Sequence, residues 1–105
     1  MTRAFVFSLL MTVVGCGAAV DEDQLEAVLA LEGDVAEGDA FYDGNCLRCH
    51  GPGGNGDGVG PELAGNDFSR EKIVRNILRG PLSMPSFADE DDQIIADVAA
   101  YVDSL

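Results

Sequence analysis

The chain has 105 residues, 47% of them hydrophobic, and 19 acidic residues against six basic ones give a formal net charge of −13. This length accommodates one small domain, and a domain of this size is marginally stable unless a disulfide, a metal or a cofactor adds to its core. So acidic a chain is repelled by nucleic acid and by anionic lipid headgroups, which excludes both as electrostatic partners and favours basic proteins.

The first 15 residues have the pattern of an export signal. Arg3 precedes the apolar run Ala4–Val14, which is too short to span a bilayer but suits the hydrophobic region of a signal peptide. The sequence "VVGC", which ends at Cys16, resembles the lipobox of bacterial lipoproteins, in which the cysteine is lipidated and becomes the new N-terminus. We therefore predict a signal peptide over residues 1–15 and lipid attachment at Cys16. Cleavage at Gly17-Ala18-Ala19, which discards Cys16, and retention of the segment are the alternatives.

Residues 16–34 are predicted to form an acidic tether. Within this segment, Asp21–Asp34 carries apolar residues at Leu25 and Val28, a spacing that also allows a short helix. A solvated tether with transient helicity and a short helix on the way to the domain therefore both remain open.

Residues 35–105 are predicted to form an all-α domain, because no strand pattern of any length occurs in them. Asp34, Ser69 and Asp89 are the predicted N-caps of the main helices. These helices are predicted over Val35–Asn45, from Ser69 to the stop signal Gly80, and from Asp89 to Leu105. The glycine-rich segment 51–65 and the segment 80–87 are predicted loops, which gives three or four short helices joined by long loops.

The motif C-x-x-C-H places two thiols and the chain's one histidine within a single turn, at Cys46, Cys49 and His50. A zinc site would need a second pair of ligands, which the sequence lacks, and a thioredoxin-type redox pair would need a βαβ setting. The pattern is typical of covalent haem attachment, in which both thiols add to the vinyl groups and the imidazole binds iron. We predict one covalently bound haem c.

A second axial ligand is predicted at Met84, the one methionine that follows Cys16. A thioether is a common ligand opposite histidine, and Pro81 and Pro85 stiffen the loop that presents it. An open iron position, or Lys72 as the ligand, is the alternative.

Ordered motifs make the chain from about Val35 to Leu105 resemble a class I c-type cytochrome of the bacterial, single-haem kind. These motifs are "GDAFYDGNCLRCHG", "GPELAG", "GPLSMPSF" and "IIADVAAYVDSL". The resemblance implies a small cytochrome c fold around the haem, with Gly38 at the crossing of the first and last helices and Tyr101 packed over it. It also implies that the Pro61 carbonyl accepts a hydrogen bond from the His50 ring.

The same resemblance implies an apolar wall around the haem and a cation near its propionates. Arg79 is the preferred donor of hydrogen bonds to the propionates, and Arg75 is the other cation near the loop that carries Met84. The residues implied for the wall are Leu63, Phe68, Ile77, Leu82 and Phe87.

With two strong axial ligands, an iron can gain and lose an electron but has no position for a substrate. We therefore predict a one-electron carrier, not an enzyme, that acts as a monomer with basic redox proteins. Its predicted location is the periplasmic side of a bacterial membrane, with a lipid anchor, or the periplasm if it is soluble. The alternatives are a haem-bearing subunit of a larger oxidase or dehydrogenase, and a peroxidase-like enzyme if Met84 does not bind the iron.

Overall fold

A computed structural model of the chain describes residues 19–105, so the predicted signal peptide and Cys16 lie outside the described residues. The described part contains five α-helices and no strand, which confirms the all-α prediction with one or two helices more than expected. The helices are α1 (Glu22–Leu29), α2 (Val35–Asn45), α3 (Leu47–His50), α4 (Arg70–Arg79) and α5 (Asp92–Asp103), and a 3₁₀ turn spans Pro52–Gly54. None of the helices in residues 19–105 has the length and apolar character needed to cross a bilayer.

Helices α2 and α4 begin and end as the sequence predicts, because local capping signals determine these positions. The side chain of Asp34 accepts a hydrogen bond from the backbone N–H of Glu37 at the start of α2. Ser69 caps α4 in the same way, and Gly80 ends α4 in a left-handed conformation with φ of 65°.

The predicted cap of the last helix is wrong by two residues. Asp91, not Asp89, accepts the hydrogen bond from the Gln93 backbone N–H, and α5 begins at Asp92. The preceding residues form a turn in which the Glu90 N–H donates to the Phe87 carbonyl at 3.0 Å. In the sequence alone, the four consecutive acidic residues 89–92 are equivalent candidates for the N-cap. The turn before α5 determines that Asp91 takes this position.

Of the two possibilities left open for the acidic segment, the structure shows the helix. Leu25 and Val28 of α1 are buried against α4 and α5. Arg70 of α4 donates hydrogen bonds to the carbonyls of Leu29 and Leu31, at 2.8 and 2.6 Å. The prediction of a tether over 16–34 is therefore wrong for α1, because two apolar residues and a guanidinium hold the helix on the domain.

The crossing of α2 and α5 brings two backbones into direct contact. A Cβ at Gly38 would overlap the carbonyl oxygen of Asp97 and lie 2.9 Å from the Cβ of Tyr101. One turn further along α2, the rings of Tyr42 and Tyr101 lie with centroids 5.0 Å apart. The predicted role of Gly38 is confirmed, since a side chain there would separate the helices.

Candidate functional site

Helices α2 to α5, the glycine-rich loop 51–65 and the loop between α4 and α5 surround a cavity of about 500 Å³. This volume is within the usual range for a pocket that encloses a small organic ligand or cofactor. All four residues predicted to bind a haem group lie in its lining, namely Cys46, Cys49, His50 and Met84.

The thiols and the imidazole are presented by α3 and the residue before it. The backbone N–H groups of Cys49 and His50 both donate to the Cys46 carbonyl, at 3.1 and 3.0 Å, which closes one tight turn. The two cysteines are free and half-buried. Burial, and then repulsion from Cys49, raises the pKa of the Cys46 thiol to about 11. The reactive thiol of a thioredoxin-type pair has a lowered pKa instead, so the raised pKa of Cys46 gives no support to that alternative.

The His50 ring is oriented by the loop that follows it. Its Nδ1 lies 2.8 Å from the carbonyl oxygen of Pro61. A carbonyl can only accept, so this contact requires the proton on Nδ1 and leaves the lone pair of Nε2 available to a metal. Gly60 makes room for the ring, because a Cβ there would lie 2.9 Å from Nδ1.

Met84 lies half-buried in the loop between α4 and α5. The part of this loop that follows Met84 is hydrogen-bonded to α4. The Phe87 N–H donates to the Ile77 carbonyl at 3.0 Å, and the Ser86 hydroxyl donates to the Leu78 carbonyl at 2.6 Å. We call residues 80–88 the methionine loop. Its first residue, Gly80, has no space for a Cβ, which would lie 2.5 Å from the Ser86 nitrogen.

The walls of the cavity are mainly apolar. All five residues that the resemblance implied for the wall are in the lining. Sequence reasoning missed further wall residues, which come from segments that are distant from one another in sequence. These are Tyr42 of α2, Val59 of the loop 51–65, Ile73 of α4, and Val98 and Val102 of α5. Tyr42 is fully buried and donates from its hydroxyl to the Gly51 carbonyl at 2.7 Å, which ties α2 to the loop after the histidine.

Two cations of α4 contribute to the lining, and a third does not. Lys72 and Arg79 lie in the cavity wall together with Asn76. Arg75 instead forms an ion pair with Glu22 of α1 at 2.8 Å. Of the two arginines considered for the propionates, Arg79 is therefore the one at the cavity, and Lys72 joins it.

The chemistry of this lining fits a covalently bound haem. Two thiols and an imidazole with a free Nε2 come from one turn, a thioether comes from the methionine loop, and the walls are apolar with cations at one helix. An all-α fold with this set of groups around a single cavity defines a c-type cytochrome of class I.

Comparison with known proteins leads to the same class. Residues 33–102 match the family model described as cytochrome C oxidase, cbb3-type, subunit III. The chain is 40% identical to cytochrome c6 of Chlorolobion braunii over 84 residues, which cover 68% of this chain and 90% of that protein. It is 32% identical to the cytochrome c-553-like protein of Synechocystis over 106 residues, covering 97% and 99% of the two chains. Cytochrome c-554(547) of Halothiobacillus neapolitanus is 32% identical over 89 residues, covering 70% and 98%.

The chain belongs to the c-type cytochromes, as a class I member with one covalently bound haem c. It is an electron carrier rather than an enzyme. No solved structure matches the chain.

Proposed function

We propose that this cytochrome holds its haem through Cys46 and Cys49, with His50 and Met84 as the axial ligands. The observation that carries the proposal is that all four side chains line one cavity, where the Pro61 carbonyl fixes the proton of His50 on Nδ1. When bound, haem c supplies reversible one-electron chemistry at its iron. With both axial positions filled by the protein, the chain transfers electrons and leaves no site for a substrate.

Optical spectra of the purified protein test the ligation. We expect the oxidised wild type to show the weak absorption band at the red edge that marks a methionine–iron bond, and Met84→Ala to lack it. The reduced Met84→Ala protein should bind carbon monoxide quickly. Glu90→Gln is the control, because Glu90 follows the methionine loop closely but is exposed and does not line the cavity. A wild type without the band and with rapid carbon monoxide binding would favour the peroxidase-like alternative.

We propose that Lys72 and Arg79 face the haem propionates, because both line the cavity from α4. A cation beside the haem disfavours the oxidised, more positive state, so Lys72→Gln and Arg79→Gln should each lower the reduction potential. Arg75→Gln is the matched control, since this cation lies on the same helix but pairs with Glu22. Spectroelectrochemical titration measures the three potentials, and an equally large shift in Arg75→Gln would contradict the assignment.

The proposed partners are redox proteins with basic surfaces, because the chain carries a net charge of −13. Val59 and Leu82 line the cavity and are 92% and 104% exposed, which gives the cavity an apolar rim where a partner can exclude water. The rate of electron transfer to a basic partner should fall as salt is raised, because screening weakens the attraction between unlike charges. A rate that is independent of salt would remove charge as the basis of recognition.

We propose a location on the periplasmic side of a bacterial membrane, with a lipid on Cys16. The support for this is the sequence "VVGC" after an apolar run of signal-peptide length. Cys16→Ser should release the cytochrome from isolated membranes into the soluble fraction, as measured by its haem absorbance. If the wild type is already soluble after export, the soluble periplasmic alternative holds.

A second candidate function is that of a haem-bearing subunit of a larger oxidase. The matching family model carries the description of an oxidase subunit, which favours it. The match to 90% of the length of cytochrome c6, whose name carries no mention of a subunit, favours a separate carrier. Purification from detergent-solubilised membranes distinguishes them, because a subunit elutes with a larger assembly and a carrier elutes alone.

A further inference from the structure

The N-terminal helix α1 precedes the residues that match the family model, yet it makes a direct contact with the methionine loop. The side-chain amide of Gln24 donates to the carbonyl of Ala88 at 2.8 Å and to the carboxylate of Asp92 at 3.3 Å. Ala88 directly follows Phe87, which lines the cavity. Helix α1 therefore reaches the end of the loop that carries Met84.

Helix α1 is held firmly enough to act as a support. Its carboxyl end accepts hydrogen bonds from Arg70, and Glu22 in its first turn receives two hydrogen bonds from Arg75, at 2.8 and 3.0 Å. Between these attachments Leu25 and Val28 are buried in the core. Polar contacts at both ends and an apolar face between them fix the position of Gln24 relative to α4.

Helix α4 lies between α1 and the cavity, and one of its faces is turned toward each. With 3.6 residues per turn, the cavity-lining residues of α4 fall on one side of the helix, and these are Lys72, Ile73, Asn76, Ile77 and Arg79. Arg70, Val74, Arg75 and Leu78 fall on the opposite side, which bears the two arginines that bind α1. Helix α1 thus supports α4 from behind and contributes no side chain to the cavity lining.

The hydrogen bonds of the methionine loop go mainly to α4, and the Phe87 ring also packs against Phe41 of α2 with centroids 5.8 Å apart. The loop's hydrogen bonds to the rest of the fold come from Gly80, Ser86 and Phe87, and all of these go to carbonyls of α4. Among the hydrogen bonds of residues 19–105, the one from Gln24 joins this loop to a different helix. An opening of the loop that displaces its Ala88 end therefore has to break the bond to Gln24.

We infer that Gln24 is a positioning residue, which holds the methionine loop closed and so slows the dissociation of Met84 from the haem iron. This inference rests on the proposed ligation by Met84. It assigns to α1, a helix outside the matched family region, a part in maintaining the electron-transfer site. Gln24 acts through the Ala88 backbone and does not touch the haem.

The test uses the haem-loaded protein with Gln24→Glu and Gln24→Met, both close in size to glutamine. The carboxylate of Gln24→Glu cannot donate to the Ala88 carbonyl and meets Asp92, while Gln24→Met removes both hydrogen bonds and keeps the packing. One readout is the rate at which imidazole displaces the sixth ligand of the oxidised haem. The other is hydrogen exchange of the Phe87 amide, which is protected by the Ile77 carbonyl. One net hydrogen bond corresponds to roughly a fivefold increase in both rates.

Ser69→Ala is the control, because it removes the cap at the far end of α4 and costs a comparable amount of global stability. We expect it to leave both rates close to those of the wild type. If both Gln24 variants match the wild type, or if Ser69→Ala accelerates both rates equally, Gln24 has no positioning role. A wild type without the methionine–iron band would overturn the proposed ligation instead, and the exchange of the Phe87 amide would still decide whether Gln24 holds the loop.

Discussion

The contact between α2 and α5 at Gly38 gives the sharpest prediction for stability. In Gly38→Ala the new Cβ would overlap the Asp97 carbonyl oxygen and lie 2.6 Å from its carbonyl carbon. The obstacle is backbone, so no change of rotamer can relieve it and the helices must move apart. Overpacking of this kind costs about 3 kcal/mol at the upper end of its usual range, and the better helix propensity of alanine returns about 1 kcal/mol. The expected net loss is therefore about 2 kcal/mol in the free energy of unfolding.

Gly44 on the same helix provides the matched control. A Cβ at Gly44 would meet no atom within 4 Å, so Gly44→Ala should gain about 1 kcal/mol from helix propensity alone. Guanidinium unfolding of the haem-loaded proteins, followed by circular dichroism, measures both changes. Equal midpoints for the two variants would show that the α2–α5 crossing is not limited by backbone contact, and the account of this interface would be wrong.

Three further predictions concern the rest of the fold. Tyr42→Phe should lower the free energy of unfolding by about 1 kcal/mol in urea titrations, because the Gly51 carbonyl loses its buried donor. Hydrogen bonding to Arg75 holds the pKa of Glu22 in the folded protein below its ordinary value of 4.5. The ionised Glu22 therefore stabilises the folded state at pH values above 4.5, and this stabilisation is lost as the pH falls through the lowered pKa of the folded protein. Wild type should therefore lose more stability than Glu22→Gln between about pH 6 and about pH 3, as shown by urea midpoints. The variant that lacks both cysteines of C-x-x-C-H should be largely unfolded by circular dichroism, because the haem forms much of the core.

The parts of the fold that the sequence predicts are those that depend on local signals. The N-cap residues Asp34 and Ser69 and the terminating Gly80 mark α2 and α4 correctly because each acts within one turn of its own helix. The docking of α1 was not predictable, because it depends on Arg70 of a helix that follows some forty residues later. The choice between Asp89 and Asp91 likewise depends on a turn that the methionine loop imposes.

The candidate site also has parts that local sequence signals predict and parts that depend on tertiary packing. The spacing of C-x-x-C-H is a local signal for covalent haem attachment, and the predicted haem c is confirmed by the family to which the chain belongs. The axial roles of His50 and Met84 stay predictions, supported by their place in the cavity lining. Tyr42 was missed as a lining residue because its place in the wall depends on the tertiary packing of α2 on α5. Lys72 was named only as an alternative iron ligand, and the structure places it in the lining. The position of Tyr42 one helical turn before Cys46 was a signal that could have indicated it.

The distribution of cations explains how so acidic a chain can hold a haem with two carboxylates. Four of the five cationic side chains in residues 19–105 lie on α4. Arg70 and Arg75 bind the carboxyl end and Glu22 of α1, while Lys72 and Arg79 face the cavity on the opposite side. On the proposed assignment of Lys72 and Arg79 to the propionates, α4 supplies positive charge to α1 on one side and to the haem on the other, while the chain as a whole stays acidic.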